Sequence, residues 1–392
     1  MKTFNVGVIG LGHRGYPLTR DILCEMEGVK VVALCDVYQD RVDKASQTVV
    51  EKCGYEPKKT LDYKEIISDP EVEVVCVFSA WETHFPFCVE AMEAGKAVAC
   101  EVGGAYSIEE CWRLVDTQER TGVPLYFLEN CCYDKKEMIV QNMIEDGLFG
   151  ELVYCSGAYG HYLCEEISNG TKNRHYRERN YLSRNCENYP THELGPIAKM
   201  LKINHGNRMV KLSSFATKSV GLKSYIASGG EHDECVEGKD WAQGDIIITI
   251  ITCEDGSVIQ LKLDTTLPRS YNREICAHGT KGRYTELYDE VFLEGGNEFQ
   301  KGPSLFDEQF KKYVPECWSK ENEERIKEKG HGGMDWLNFE VFFNALREGK
   351  EMPIDVYDMA SWGAVTTLSE MSIKTGQSYD FPDFTRGKYK TR

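Results

Sequence analysis

The chain has 392 residues, enough for two to three domains and a sizeable core, and carries 46 Lys and Arg against 63 Asp and Glu, a net charge of −17. That balance argues against a nucleic-acid or anionic-membrane partner, since phosphate binding needs clustered cations. Its sixteen cysteines include no C-x-x-C pair and no zinc spacing, and there is no H-E-x-x-H. No metal site is expected, and the thiols read as reduced packing residues of a cytoplasmic protein.

The first segment is an apolar strand, Val6 to Ile9, running into Gly10-Leu-Gly12-His13-Arg14-Gly15. In G-x-G-x-x-G the first glycine permits a tight turn, the second lets backbone approach a pyrophosphate, and the third lets the following helix pack close. A second strand, Val29 onward, ends in Asp36. An acid there accepts from adenosine ribose hydroxyls and repels a 2′-phosphate, which favours NAD over NADP. No basic n-region, apolar h-region or cleavage site precedes the first strand, and no apolar run approaches the roughly eighteen residues that span a bilayer.

Strand and helix alternate through the first third. A polar helix is expected over 39–53, a buried strand over 72–78, a helix over 85–94 and a short strand over 97–101. A helix over 108–120 follows, with Ser107 and Glu110 as a capping box, and then a strand over 123–128. Repeated β-α-β units predict a parallel, doubly wound sheet for a nucleotide-binding domain over 1–128. From Glu129 the pattern changes. A helix over 135–146 precedes alternating strands at 152–159, 209–215, 245–252 and 257–264, the last two joined by a hairpin turn at Glu254–Ser257. Residues 129–392 are therefore expected to form an α+β domain around an open, mostly antiparallel sheet. The polar stretches 163–184 and 229–243 read as long loops, and a terminal helix over 356–374 should pack back on the body.

Several places read as chemistry. Trp81-Glu-Thr83-His84 follows a strand at the carboxyl edge, where ligands bind in such sheets. Glu101-Val102-Gly103 and Glu129-Asn130 end the next two strands at that edge. The densest polar cluster is Asn188-Tyr189-Pro-Thr191-His192, in which Thr191 is a candidate helix cap and His192 suits proton transfer near neutral pH. Gly330-His331-Gly-Gly-Met-Asp335 opens another helix with glycine on both sides of a histidine.

This order of motifs resembles the Gfo/Idh/MocA oxidoreductases. The sequence departs from ordinary members at two places. Glu101-Val102-Gly103 stands where they carry Glu-Lys-Pro, and Asn188 stands where they carry an aspartate. Both departures match one branch, the NAD-dependent glycosidases of glycoside hydrolase family 109, known for α-N-acetylgalactosaminidase activity. The resemblance spans nearly the whole chain, through Glu129-Asn-Cys-Cys-Tyr133, Asn188-Tyr-Pro-Thr-His192, Trp241-Ala-Gln-Gly-Asp245, Arg269-Ser-Tyr271-Asn272 and Gly330-His-Gly-Gly-Met-Asp335. It implies NAD contacts at Gly10, Gly12, His13, Arg14, Gly15, Asp36, Trp81, Thr83, His84, Glu101, Val102 and Asn130. It implies sugar contacts at Tyr159, Arg177, Tyr189, Thr191, His192 and Tyr271. Glu129 and His331 are expected to join these. Tyr176 stands where the family has Trp.

The activity so implied is hydrolysis of a terminal glycoside on a small molecule or glycan end, with a tightly bound NAD that is oxidant and then reductant and is not consumed. Tyr159, His192 and Tyr189 are the expected proton-transfer groups. A sugar 3-dehydrogenase that releases a keto-sugar is the alternative. A non-catalytic nucleotide sensor is a third reading, against which the density of the polar cluster argues. A homo-oligomer is expected from the superfamily.

Overall fold

The computed structural model describes residues 2–392. The chain divides into two compact units, Met1–Tyr133 with Glu316–Ala360, and Asp134–Pro315 with Ser361–Arg392.

In the first unit six strands form one parallel sheet: β1 (Phe4–Ile9), β2 (Val29–Cys35), β3 (Lys58–Thr60), β4 (Val74–Val77), β5 (Ala97–Cys100) and β6 (Leu125–Phe127), in the order β3-β2-β1-β4-β5-β6. All neighbours in this sheet pair in parallel, and every residue of β4, β6 and most of β1 is buried. Burial on both faces explains why these strands read as continuous apolar runs. The crossovers include α1 (Gly15–Leu18), α2 (Gln39–Cys53), α3 (Tyr63–Ile67), α4 (Trp81–Glu93) and α5 (Ile108–Thr121). The capping box forms as expected: Ser107 Oγ accepts from the Glu110 N–H, and Glu110 accepts from the Tyr106 N–H. Two local details differ. The helix after the glycine loop becomes a π-turn at Thr19–Leu23, where the Thr19 hydroxyl bonds back to the Gly15 carbonyl. Helix α4 begins at Trp81 rather than Phe85, because Ala80 serves as its N-cap and Thr83 bonds the Ala80 carbonyl through both N–H and hydroxyl.

Residues 316–360 belong by packing to this first unit, although sequence order places them after the second sheet. They carry α11 (Lys320–Ile326) and α12 (Met334–Glu348). Phe339 lies edge-on to Phe78, Phe343 packs on Phe4, and Tyr126 donates to Asn338 while its ring stacks on Phe342. Aromatic area of this kind dominates core energetics, and it ties α12 to the parallel sheet.

The second unit holds α6 (Lys135–Glu145), α7 (Cys164–Ser168), α8 (Arg177–Ser183), α9 (Thr191–Met200) and α10 (Gly221–Ala227). Its sheet runs through β7 (Leu152–Gly160), β8 (Met209–Ala216), β9 (Ile246–Cys253), β10 (Val258–Asp264), β11 (Cys276–Gly279), β12 (Gly282–Thr285), β13 (Glu290–Leu293) and β14 (Tyr379–Asp380). The order is β13-β12-β11-β7-β10-β9-β8-β14. Every pairing is antiparallel except β7 with β10 in the middle. The turn between β9 and β10 is the expected hairpin, with Gly256 at φ +89°. Segment 163–184 is not a bare loop. Its α7 and α8 are anchored by buried Cys164, Ile167 and Tyr181, too sparsely spaced to show a helical period. The terminal helix α13 (Val356–Thr375) supplies Thr366, Ser369 and Ser372 to the second unit, where their hydroxyls bond the backbone of Glu187 and Ser214.

Candidate functional site

The nucleotide-binding features gather at the carboxyl edge of the parallel sheet. Gly10 has φ +97°, and a Cβ there would lie 2.6 Å from the Phe78 carbonyl carbon; one on Gly15 would overlap the Gly10 carbonyl. Glycine is therefore required for the turn and for the helix approach. A Cβ on Gly12 would meet only the far end of Arg41, so that side of the loop is an open cradle for a ligand's backbone approach. Asp36 is buried and clamps the loop: Oδ2 accepts from the Leu11 N–H at 2.7 Å and Oδ1 from the Tyr38 N–H at 3.0 Å, with Arg41 3.7 Å away. A carboxylate has about four acceptor positions, so Asp36 retains capacity for ribose hydroxyls. These features fit a dinucleotide.

The other residues expected here fall in two kinds. Trp81, Thr83 and His84 form the first turn of α4. The Thr83 hydroxyl is engaged by Ser79 and Ala80, and His84 Nε2 lies 3.0 Å from the Ser79 carbonyl. Burial holds the His84 imidazole below its ordinary pKa, so it is neutral. Arg14, Glu101, Asn130 and His331 join through charge. Arg14 donates through Nε and Nη2 to Glu101 Oε1 at 3.2 and 2.8 Å, and through Nη1 and Nη2 to both carboxylate oxygens of Asp335. Asn130 donates to Asp335 Oδ1, and His331 Nδ1 lies 2.9 Å from Asp335 Oδ2. Burial opposes ionisation of Asp335, but the Arg14 charge and the bonds from His331 and Arg14 outweigh it and hold the carboxyl well below the usual range. Val102 and Glu129 are buried beside these, Glu129 accepting from the Cys131 N–H, while His13 is exposed.

The second unit assembles the expected proton-transfer groups. Helix α9 approaches β7 closely because Gly157 carries no side chain; a Cβ there would lie 2.6 Å from Glu193 Cβ. This brings His192 to the end of β7. The Tyr159 ring centroid lies 4.7 Å from Tyr189 and 5.6 Å from His192, and Tyr189 meets His192 edge-on at 4.8 Å. The Arg177 guanidinium sits 4.9 Å from the Tyr189 ring and 5.9 Å from Tyr159, in the range of cation–π attraction. Arg177 is buried and forms a 2.6 Å ion pair with Glu166. Tyr271 is half-exposed and meets the cluster through His161, edge to face at 5.3 Å. Thr191 is not the helix cap; Pro190 takes that place and Thr191 is the first helical residue. Its hydroxyl is fully buried without a hydrogen-bond partner among the described residues, as is the Asn188 side-chain oxygen.

Four residues that sequence reasoning did not single out belong to these groups. His161 and Glu166 flank the aromatic cluster. Arg273 is buried, gripped by Glu137 and Asp134, and donates to the Tyr271 hydroxyl at 3.1 Å. Asp335 organises the charged group. Asp335 stood in the Gly330–Asp335 motif and His161 closes the Gly157-Ala-Tyr159-Gly-His161 stretch that carries Tyr159; an arginine or glutamate in a polar stretch carries no local signal.

Residues 133–391 match the glycosyl hydrolase 109 C-terminal domain, and residues 4–128 match the oxidoreductase family with an NAD-binding Rossmann fold, Gfo/Idh/MocA. The chain belongs to glycosyl hydrolase family 109. It is 36% identical to a family 109 protein of Stenotrophomonas maltophilia, over 100% of this chain and 91% of that one. It is 35% identical to an alpha-N-acetylgalactosaminidase of Tannerella forsythia, over 98% of this chain and 86% of that one. Among solved structures, levoglucosan dehydrogenase in complex with NADH and levoglucosan superposes with a TM-score of 0.71 at 18% identity, over 97% of this chain and all of that one. That likeness shows a shared fold, and the match over residues 4–128 is what assigns the nucleotide-binding part of this family 109 member to Gfo/Idh/MocA. As an enzyme it is a glycosidase or a sugar oxidoreductase. No helix among its described residues is long and apolar enough to cross a membrane.

Proposed function

We propose that this family 109 protein is an NAD-dependent glycosidase that cleaves terminal α-N-acetylgalactosaminides or related hexosides. The observation that carries this reading is the packing of Tyr159, Tyr189 and His192 against a buried Arg177. It gathers hydroxyl and imidazole groups suited to moving protons. The relatives' activity supports the sugar class, and the Gly10–Gly15 loop with Asp36 supports the nucleotide.

A nicotinamide nucleotide held by the Gly10–Gly15 loop and Asp36 would supply reversible hydride transfer at sugar C3 with no net consumption. Tyr159 and His192 serve as the groups that take the C3 hydroxyl proton and the C2 proton, with Tyr189 beside both. The C2 hydrogen is acidified once C3 is a ketone, and its removal expels the C1 substituent by elimination. Water adds at C1, and the same side chains return the protons. Arg177, fixed by Glu166, stabilises negative charge on the enolate. Tyr271 and Thr191 hold sugar hydroxyls or the C2 substituent. This route differs from the two-carboxylate mechanism of most glycosidases.

Hydrolysis of α- and β-nitrophenyl glycosides with and without added NAD⁺, run in D₂O, tests the reading. Deuterium at C2 of the released sugar is expected; product without that label overturns the elimination. A sugar 3-dehydrogenase remains the second reading, favoured by the fold shared with a sugar dehydrogenase. Net NADH accumulation with release of a keto-sugar would establish it instead.

A further inference from the structure

We propose that Asp335 is the positioning residue of the nucleotide site: its carboxylate sets the places of Arg14, Asn130 and His331 at once. This rests on the nucleotide reading given above. Both carboxylate oxygens are in use. Oδ1 accepts from Arg14 Nη2 at 3.1 Å and Asn130 Nδ2 at 2.8 Å; Oδ2 accepts from Arg14 Nη1 at 3.0 Å and faces His331 Nδ1 at 2.9 Å. The opposite edge of Arg14 grips Glu101, so the constraint extends to the end of β5. One carboxylate thereby ties together the glycine loop, the ends of β5 and β6, and the turn before α12.

Three features make this a rigid support rather than a surface ion pair. The Asp335 side chain is 2% exposed while its Arg14 partner is 33% exposed, so the pair is anchored at its buried carboxylate, whose two oxygens hold the guanidinium in a bidentate geometry. It sits in the first turn of α12, a fifteen-residue helix fastened to the sheet by Phe339 and Phe343. The preceding turn is built to admit it. Gly330 has φ +66°, and a Cβ there would press on the Asp335 carboxylate, its own Cβ only 2.9 Å away; His331 itself has φ +43°, an uncommon value for a residue with a side chain. A binding group held by such a shell loses affinity when the shell loosens, even though its own atoms are unchanged.

The test measures NADH dissociation constants by fluorescence titration of the intact protein, with circular dichroism and thermal melting of the nucleotide-free form. Asp335→Asn is expected to fold and to raise the NADH Kd by about tenfold or more. Arg14→Gln should raise it similarly, and the double variant should be no worse than the poorer single one by more than about twofold, because both remove one coupling. Asn338→Ala, which removes the acceptor of the Tyr126 hydroxyl and leaves every contact of the Asp335 carboxylate in place, should lower the melting temperature and leave the NADH Kd within about twofold of the parent. Should Asp335→Asn fail to fold, Gly330→Ala keeps the charge but displaces the carboxylate, and it too should weaken NADH binding. An unchanged Kd in either folded variant, strictly multiplicative losses in the double variant, or an equal loss in Asn338→Ala would overturn the inference. A parent protein that binds no nicotinamide nucleotide overturns the functional reading and this inference with it, which separates the two failures.

Discussion

The two candidate groups are held in opposite ways. In the first unit, charge fixes position: Asp36 clamps the glycine loop, and Asp335 with Glu101 brackets Arg14. In the second unit, ring packing fixes position: Tyr159, Tyr189 and His192 touch through their faces and edges. The difference matches the tasks. Ion pairs and charge-assisted bonds are directional and strong, which suits a static cradle for a nucleotide. Ring contacts consume apolar surface and leave hydroxyl and imidazole groups for proton transfer.

Removing only a hydroxyl from the ring cluster should have the largest effect. Tyr159→Phe keeps the packing, and its kcat is expected to fall by about 10²–10⁴-fold, the usual worth of a proton-transfer group, with NADH affinity and melting temperature unchanged. Steady-state kinetics beside NADH titration will show whether the loss is confined to turnover; full activity removes Tyr159 from the mechanism.

A buried acid one residue before Asn188 offers a second contrast. Glu187 is fully buried, and burial pushes its carboxyl up to about 8. Below the ordinary glutamate pKa both folded and unfolded states hold the proton, and the group contributes nothing. As pH rises from there towards 8 the unfolded state ionises first, so this residue progressively destabilises the fold; above that the penalty is constant. Glu187→Gln should therefore gain stability over the parent between pH 5 and 8. At about 1.4 kcal/mol per pKa unit, the gain is on the order of a few kcal/mol. Chemical denaturation at several pH values checks the slope; a difference independent of pH refutes the assignment.

In the charged group, Asp36→Ala strands the Leu11 and Tyr38 N–H groups. A buried donor left unsatisfied costs about 1–3 kcal/mol, and the NADH Kd should rise by about 10–100-fold while unfolding of the ring cluster, followed by near-ultraviolet dichroism, is unchanged. The smallest effect is expected at Tyr271→Phe, which removes the acceptor for Arg273 on a half-exposed side chain. KM should rise by about two- to fivefold with kcat nearly unchanged, the pattern of a lost uniform contact.

What sequence alone determined is local. The glycine loop, the acid ending β2, the apolar strands and the α5 capping box are set by contacts within a few residues, so their spacing is visible in the chain. Tyr189, Thr191 and His192 were legible because they lie on one segment, although the cap fell to Pro190. Tyr159, Arg177 and Tyr271 came from family resemblance, since nothing in their own surroundings marks them. Tertiary structure decided the rest. The Arg14–Asp335 pair joins residues 321 apart in sequence, the parallel pairing of β7 with β10 crosses the antiparallel sheet, and residues 316–360 pack with the first unit. Such choices depend on which surfaces meet when the core closes, and neither ion pairing at that separation nor strand neighbourhood leaves a period in the sequence.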